Sequence, residues 1–187
     1  MAADSEGEAL DSFSVVPYDA DWGQWYEQER QVLLGRLPSG FLEFEHIGST
    51  AVPGLDAKPI IDMMAAVAHI DQCGSVVRSL KELGYVPVET GMRNRLFFRR
   101  RSADGRIFHL HLVDASTWNN RKERIMRDFL RLHPDAASAY GRLKKALAQE
   151  CADDSLAYTR RKTDFIQSVM DRAYAERGLP PTNVWED

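Results

Sequence analysis

The sequence predicts an α+β fold, with a mixed β-sheet followed by C-terminal helices. Segments 41–47 and 59–67 have the alternating or continuously apolar pattern of strands. Segments 95–100 and 106–113 also alternate, and the Asp-Gly dipeptide between them is typical of a hairpin. From Thr117 onward the apolar residues recur at helical spacing. A group of strands followed by a group of helices is typical of α+β domains.

The first elements are a helix and two strands. Asp21 is positioned to cap a helix that runs to about Leu37. Alternation along segment 41–47 places His46 on one side of a strand and Glu45 on the other. Segment 59–67 is almost continuously apolar, which indicates a central strand covered on both faces.

The later elements are a helix, a short strand, the hairpin and three more helices. Asp71 is expected to cap the helix, which ends at Leu83, and the short strand follows over residues 85–88. The three C-terminal helices are predicted to run from Thr117 to about Leu132, from Pro134 to about Glu150, and from Ser155 to about Arg177.

These elements predict one domain over residues 13–178. Its sheet part is expected at about 13–115 and its helical part at about 116–178. Residues 1–12 are acidic and polar, and residues 179–187 contain a Pro-Pro pair, so both ends are predicted to be flexible tails.

The composition is that of an ordinary globular protein, with 44% hydrophobic and 28% charged residues among 187. No apolar run approaches the ~20 residues that span a bilayer, and the acidic N-terminus is unlike a secretory signal. We therefore expect a cytoplasmic chain that does not associate with membranes.

The net charge of −4, without a continuous basic and aromatic track, argues against nucleic acid as a partner. Cys73 and Cys151 lie far apart in helical patterns and are expected to be free thiols.

The most informative motif is a Gly-Ser turn followed by an aspartate on a strand. Gly48 and Ser49 can present backbone N–H groups and a hydroxyl to a phosphate. Lys58 lies in the next loop without a helical neighbour, and Asp62 follows thirteen residues after Ser49 on the apolar strand. This spacing suits a phosphate-binding site with a divalent ion. The alternative is an ordinary turn with a capping serine and an aspartate at a strand end.

Strand alternation places two histidines on one face of the hairpin. His109 and His111 lie opposite Phe108 and Leu110 in the pattern. If this strand neighbours that of Asp62, all three polar side chains converge. They would then form a catalytic site for proton transfer or a site for a divalent metal. The alternative is that an exposed sheet face carries polar residues.

Basic and aromatic residues supply candidates for binding an anionic substrate. Arg95 on the hairpin, with Arg127 and Arg131 on one helical stripe, could hold phosphate or carboxylate groups through their planar forks. Tyr158 and Lys162 are four residues apart and should project together from the last helix. The alternatives are a solvated helix face paired with acidic residues, and ordinary packing of the tyrosine against the lysine stem.

Several of these segments together resemble the GrpB (UPF0157) family. The resemblance runs from about Val15 to Arg177. It is carried by Ile47 to Asp62 (IGSTAVPGLDAKPIID), His109-Leu110-His111, Arg127 to Arg131 followed by His133-Pro134, and Tyr158-Thr159 with Lys162.

The resemblance implies a minimal nucleotidyltransferase-like domain with C-terminal helices, in a family that also occurs fused to dephospho-coenzyme A kinase. In that superfamily a Gly-Ser turn precedes an Asp-x-Asp or Asp-x-Glu strand, and a neighbouring strand supplies a third carboxylate. Gly48, Ser49 and Asp62 match this pattern, whereas Met64 stands at the second carboxylate and His109 or His111 near the third. Two magnesium ions need several hard oxygen ligands. One aspartate and two imidazoles suit a single ion: Mg or Mn, or Zn or another transition metal.

Three functions follow as hypotheses. The first is a nucleotidyltransferase-type enzyme acting on a small phosphorylated or anionic metabolite, with Asp62, His109 and His111 as catalytic and metal-binding residues. The second is a small-molecule enzyme that uses the same residues for metal or acid–base chemistry without a nucleotide. The third is a degenerate ligand-binding module without catalysis. The sequence names neither the substrate nor the oligomeric state.

Overall fold

The computed structural model describes residues 14–92, 94–151 and 155–184. The predicted N-terminal tail and the last three residues of the predicted C-terminal tail lie outside these residues. The strands are β1 (Glu43–Ile47), β2 (Ile60–Val67), β3 (Val86–Pro87), β4 (Arg95–Arg101) and β5 (Ile107–Asp114). The helices are α1 (Asp21–Arg36), α2 (Gly74–Glu82), α3 (Lys122–Leu132), α4 (Pro134–Glu150), α5 (Ser155–Arg161) and α6 (Thr163–Glu176).

The five strands form one mixed sheet in the order β1-β2-β5-β4-β3. Strands β2 and β5 are parallel, and the other neighbouring pairs are antiparallel. This confirms the predicted α+β fold with a mixed sheet and C-terminal helices, and it confirms the hairpin. In the register of the central pair, Asp62 lies opposite His109 and Met64 lies opposite His111.

The two faces of the sheet have different environments. On one face Met63, Leu110 and Phe98 are buried in a large core under α1 and α2. On the other face Met64 and Val113 pack against Trp118 in a smaller cluster. Because side chains alternate along a strand, Asp62, His109 and His111 project on this second face, which the first two helices do not cover.

The C-terminal helices have their own core. Ile125 and Phe129 of α3 pack with Val169 and Met170 of α6. Leu55, from the loop between β1 and β2, belongs to the same cluster. The loop that follows the Gly-Ser turn is thereby fixed between the sheet and the helices.

The predicted single helix from Ser155 to Arg177 is wrong. The segment turns at Lys162, so α5 ends before this residue and α6 begins after it. The reason is packing against two different surfaces. Tyr158 of α5 lies with Leu147 and Cys151 at the end of α4, whereas α6 packs on α3. One straight helix cannot face both.

Three predicted capping residues are also wrong. The side chain of Asp21 makes no cap: it is the first residue of α1, and its backbone N–H donates to Asp19. Asp71 and Thr117 lie within short 3-10 turns, Ile70–Gln72 and Ala115–Asn120, that precede α2 and α3. In these last two cases the chain makes a 3-10 turn where the pattern predicted the start of the α-helix.

The chain after α6 has no regular secondary structure through residue 184. The amide of Gln167 donates to the Thr182 carbonyl at 2.7 Å, and its oxygen accepts from the Val184 N–H at 3.0 Å. This part of the expected tail therefore lies along α6. Within the described residues no helix combines the length and apolarity that a membrane span requires.

Candidate functional site

The site is organised around a carboxylate and an imidazole on adjacent parallel strands. Asp62 Oδ1 lies 3.1 Å from His109 Nδ1. The side chain of Asp62 is 30% exposed and that of His109 is 15% exposed, so the pair lies just below the surface. The predicted convergence of these two residues is present. It depends on the direct pairing of β2 with β5, which brings their Cα atoms into register.

The Gly-Ser turn lies against the carboxylate. Gly48 has φ +71°, and a Cβ atom built on it would be 2.5 Å from Asp62 Oδ2. Only glycine permits both this backbone conformation and this approach. Ser49 follows directly as the half-buried first residue of a 3-10 turn, Ser49–Ala51. The turn and Asp62 are thus close in space, as their spacing predicted.

His111 is partly buried, like His109, and aromatic contacts hold its ring. It stacks on Phe97 with ring centroids 4.7 Å apart, and His109 meets the same ring edge-on at 5.1 Å. The buried Nδ1 of His111 and Nε2 of His109 have no hydrogen-bond partner among the described residues. Buried polar nitrogens are normally hydrogen-bonded, so a ligand or a water molecule in contact with these two rings would satisfy them.

Asp62 is an ionised carboxylate. Burial raises its pKa, but the hydrogen bond from His109 and the neighbouring imidazoles lower it below its ordinary value. Because an ionised carboxylate only accepts hydrogen bonds, His109 must carry its proton on Nδ1. In the neutral form of the ring, Nε2 is then the nitrogen with the lone pair. Burial lowers the pKa of His111 to about 4, so this ring is neutral at pH 7.

Two lysines from different segments meet over one tyrosine ring. Lys58 Nζ lies 4.7 Å from the ring centroid of Tyr158, and Lys162 Nζ lies 4.3 Å from it. The predicted joint presentation of Tyr158 and Lys162 is therefore present, although the turn at Lys162 produces it rather than one helix. Burial, together with the charge of Lys58, lowers the pKa of Lys162 to about 8, and the charge of Asp62 opposes this.

A third lysine belongs to the same group and is not among the residues that the sequence singled out. Lys144 of α4 is 4% exposed, and its Nζ has no hydrogen-bond partner among the described residues. The amine lies 4.6 Å from the ring centroid of Tyr140. Tyr140 and Lys144 are four residues apart, as are Tyr158 and Lys162. That repeated spacing is the signal that could have identified it.

The charges of this group are coupled to Asp62. Burial, together with the charge of Lys162, lowers the pKa of Lys144 to about 7 against the opposing charges of Asp56 and Asp62. A buried amine without a hydrogen-bond partner is costly, and proteins retain few of them without a function. Lys144 and Lys162 are thus both coupled to Asp62, and an anion bound beside them would supply the hydrogen-bond partner that the Lys144 amine lacks among the described residues.

The donor atoms do not fit a metal centre built by the protein. In the described part of the chain, no three or more His, Cys, Asp or Glu side chains are arranged to hold an ion. The Nδ1 atom of His109 is hydrogen-bonded to Asp62. Met64, which stands where the Asp-x-Asp or Asp-x-Glu pattern has its second carboxylate, is fully buried among apolar residues. The predicted metal site at Asp62, His109 and His111 therefore stays a prediction, and we derive no step through a metal ion.

Arg127 lies away from this group. Its Nη1 donates to Glu45 at 2.5 Å and to the His46 carbonyl at 2.8 Å, while Nε and Nη2 donate to Asp128. Nη1 thus joins α3 to β1, while Nε and Nη2 are held by the neighbouring carboxylate within α3. This arrangement supports a structural role, while the predicted substrate-binding role is untested.

Arg95 and Arg131 are also separated from Asp62. Arg95 lies on the site face beside His111, but it is buried in an ion pair with Glu123. Arg131 is exposed, and its Nε donates to the Ala51 carbonyl at 2.9 Å. The three predicted arginines are therefore distributed around the domain, and the lysines provide the positive charge near Asp62.

Comparison with known proteins agrees with this architecture. The family model described as GrpB protein matches residues 12–172. A UPF0157 protein of Pseudomonas aeruginosa is 36% identical over 174 residues, which cover 91% of this chain and 71% of that protein. UPF0157 protein YqkA of Bacillus subtilis is 30% identical over 160 residues, 85% of this chain. The matched region spans only 46% of that relative's length.

Solved structures show the same fold. The crystal structure of conserved protein GrpB from Enterococcus faecalis has a TM-score of 0.79 and 33% identity, covering 88% of this chain and 99% of that chain. The Cid1 poly(U) polymerase has a TM-score of 0.54 at 11% identity, covering 75% of this chain and 46% of that one. The second likeness shows a nucleotidyltransferase-like fold alone. By its sequence and its fold, this chain belongs to the GrpB family.

Proposed function

We propose that this chain is a nucleotidyltransferase-like enzyme that acts on a small phosphorylated molecule. Lys58, Lys144 and Lys162 hold the phosphate groups, and Asp62 with His109 transfers the proton. The observation that carries this proposal is the buried amine of Lys144, which has no hydrogen-bond partner in the described residues and is coupled electrostatically to Asp62. Binding of an anion supplies the missing partner for this charge.

The proposed proton transfer uses the orientation of His109. Donation of Nδ1–H to Asp62 leaves Nε2 as the basic nitrogen of the neutral ring. Nε2 removes a proton from the hydroxyl or amine of an acceptor, and the adjacent carboxylate stabilises the imidazolium that forms. The acceptor atom then attacks a phosphorus atom that the lysines hold in place, and the rest of the phosphate chain departs.

His111 has a positioning role in this proposal. Its neutral ring stacks on Phe97, which also contacts the edge of His109. The three rings together restrict how His109 can turn. His111 therefore preserves the geometry of the Asp62–His109 pair.

A second candidate function is supported by the donor set. Since the described residues contain no three-ligand metal group, Asp62 and His109 could perform acid–base chemistry on a small anionic molecule that is not a nucleotide. The same lysines would then bind a carboxylate or a single phosphate. This candidate differs from the first in its substrate, and its turnover does not require divalent ions.

The test is a binding and turnover series on the purified chain. Isothermal titration with ATP, pyrophosphate and glucose 6-phosphate, each in EDTA, Mg²⁺ or Mn²⁺, measures affinity. ³¹P NMR with a mixture of hydroxyl and amine acceptors follows product formation. We expect Lys144→Met to weaken binding at least tenfold, and Lys81→Met on the exposed surface of α2 to leave it unchanged.

The outcomes separate the candidates. Release of pyrophosphate from ATP supports nucleotidyl transfer. Turnover of a non-nucleotide in EDTA supports the second function, and binding without turnover supports a module without catalysis. Equal affinity of the wild type and Lys144→Met for every probe would contradict the anion site itself.

A further inference from the structure

A second cavity lies outside the Asp62 site and shares none of its side chains. It has a volume of about 550 Å³ and is enclosed by the 53–56 loop, the end of α3 and the first half of α4. Small-molecule pockets commonly fall between about 300 and 1,000 Å³. The size therefore suits a metabolite.

The cavity has an excess of positive charge in a chain whose net charge is negative. Its lining contains the cations Arg131, Arg142 and Lys145 and a single carboxylate, Asp56. That carboxylate is already engaged, because it accepts from Lys145 at 2.6 Å and from the Tyr18 N–H at 3.1 Å. The two arginines therefore remain without a carboxylate partner in this lining.

The two arginines retain unused donors. Arg131 binds the Ala51 carbonyl through Nε alone, and its other two nitrogens make no hydrogen bond to the described residues. Arg142 donates from Nη1 to Ser138, one turn earlier on α4, at 2.8 Å. Guanidinium groups with spare N–H donors bind carboxylates and phosphates in a bidentate manner.

Two further features favour an organic anion. Pro134, the first residue of the 17-residue helix α4, lines the cavity, and the positive end of a helix favours negative charge. Leu55, Leu130 and Ala137 provide an apolar wall. A ligand with a charged group and a hydrocarbon part would satisfy both.

We propose that this cavity is a second binding site, for a small organic oxyanion held by Arg131 and Arg142. It shares two structural elements with the Asp62 site. Helix α4 carries Lys145 of the cavity and Lys144 of the Asp62 site, and the loop between β1 and β2 carries Asp56 of the cavity and Lys58 of the Asp62 site. The proposal does not depend on the function assigned to Asp62.

The experiment follows backbone amide shifts of ¹⁵N-labelled protein during titration with citrate, glucose 6-phosphate and inorganic phosphate. We expect an organic probe to shift Gly54 and Gly141, which line the cavity. Arg131→Gln and Arg142→Gln should each raise its dissociation constant at least fivefold. The dissociation constants of citrate and glucose 6-phosphate show whether the cavity prefers a carboxylate or a phosphate.

Two control variants make the result decisive. Lys162→Met, in the other site, and Arg78→Gln, on the exposed surface of α2, should leave the dissociation constant within twofold. The single Arg142→Gln change removes one exposed side chain, so a folded variant is expected even if Arg131→Gln is destabilised. Unchanged affinity in both arginine variants would overturn the proposal, and so would an equal loss of affinity in Lys162→Met. Absence of binding at a probe concentration of about 20 mM, which is about 20-fold above the upper end of common KM values, would also overturn it.

Discussion

The carboxylate of Asp62 occupies the space that a side chain on Gly48 would fill. A Cβ atom at Gly48 would lie 2.5 Å from Asp62 Oδ2 and 3.0 Å from Asp62 Cβ. Gly48 therefore has a structural role besides presenting backbone N–H groups to a ligand. It allows the turn to pack directly on the proposed catalytic carboxylate.

Gly48→Ala should displace Asp62 and thereby disturb its hydrogen bond with His109. The left-handed φ alone costs about 1–2 kcal/mol for alanine, and the clash adds to this cost. Gly105→Ala is the matched control, since Gly105 has φ +87° and nothing within 4 Å of its Cβ position. Chemical denaturation and probe binding should show a loss of stability in both variants and altered binding only in the first. Equal binding in both would mean that the close approach has no functional effect.

Asp62→Asn should abolish the proposed proton transfer while preserving shape. The neutral amide cannot stabilise an imidazolium, and its N–H₂ group can favour the wrong tautomer of His109. Loss of such general base catalysis typically lowers rates by about 10² to 10⁴. The measurement is single-turnover ³¹P NMR at saturating substrate, with Asp104→Asn in the exposed hairpin turn as the control. A rate unchanged by Asp62→Asn would remove this residue from the mechanism.

Lys144→Met should stabilise the protein and weaken anion binding. The buried amine has no hydrogen-bond partner among the described residues, so an apolar side chain of similar length removes a cost of about 1–3 kcal/mol. Thermal unfolding should therefore occur at a higher temperature in the variant, while pyrophosphate affinity falls at least tenfold. Lys81→Met, on an exposed surface, should change neither quantity. Destabilisation by Lys144→Met would show that the amine has a structural partner.

The stability of the unliganded protein should rise with pH above 7. Burial lowers the pKa of Lys144 to about 7, from 10.5 when exposed. Between about pH 7 and 10 the unfolded chain holds a proton that the folded chain has lost, so the free energy of unfolding increases with pH. Urea denaturation at pH 7, 8 and 9 should show this increase in the wild type relative to Lys144→Met. A pH-independent difference between the two would contradict the lowered pKa.

Arg127→Leu should lower stability and leave ligand affinity unchanged. Arg127 is buried and donates to the His46 carbonyl, which its removal leaves without this donor. Glu45 and Asp128 lose one of two arginine partners each, because Arg124 and Arg177 still bind them. The expected cost is therefore about 1–3 kcal/mol. Urea denaturation measures the loss, and titration below the transition measures affinity. Lost affinity with unchanged stability would instead support the substrate-binding role that the sequence suggested.

The sequence by itself determined the strands of the site and the side on which each side chain projects. Alternation along β5 separates His109 and His111 from Leu110, and the apolar run of β2 contains Asp62. These are local properties of an extended backbone, since neighbouring residues must point to opposite faces. The Gly-Ser turn could be predicted for the same reason, because the local backbone conformation requires glycine.

Only the tertiary structure decided which of these residues meet. The parallel register that sets Asp62 beside His109 arises from pairing between segments 47 residues apart. The four-residue spacing pairs Lys144 with Tyr140, but it does not reveal burial, because a lysine on an amphipathic helix has the same local pattern whether it is solvated or buried. Arg127 and Arg131 share a stripe, yet one meets Glu45 and the other lines a separate cavity. Partners and burial depend on the packing of distant segments, which periodicity along the chain does not encode.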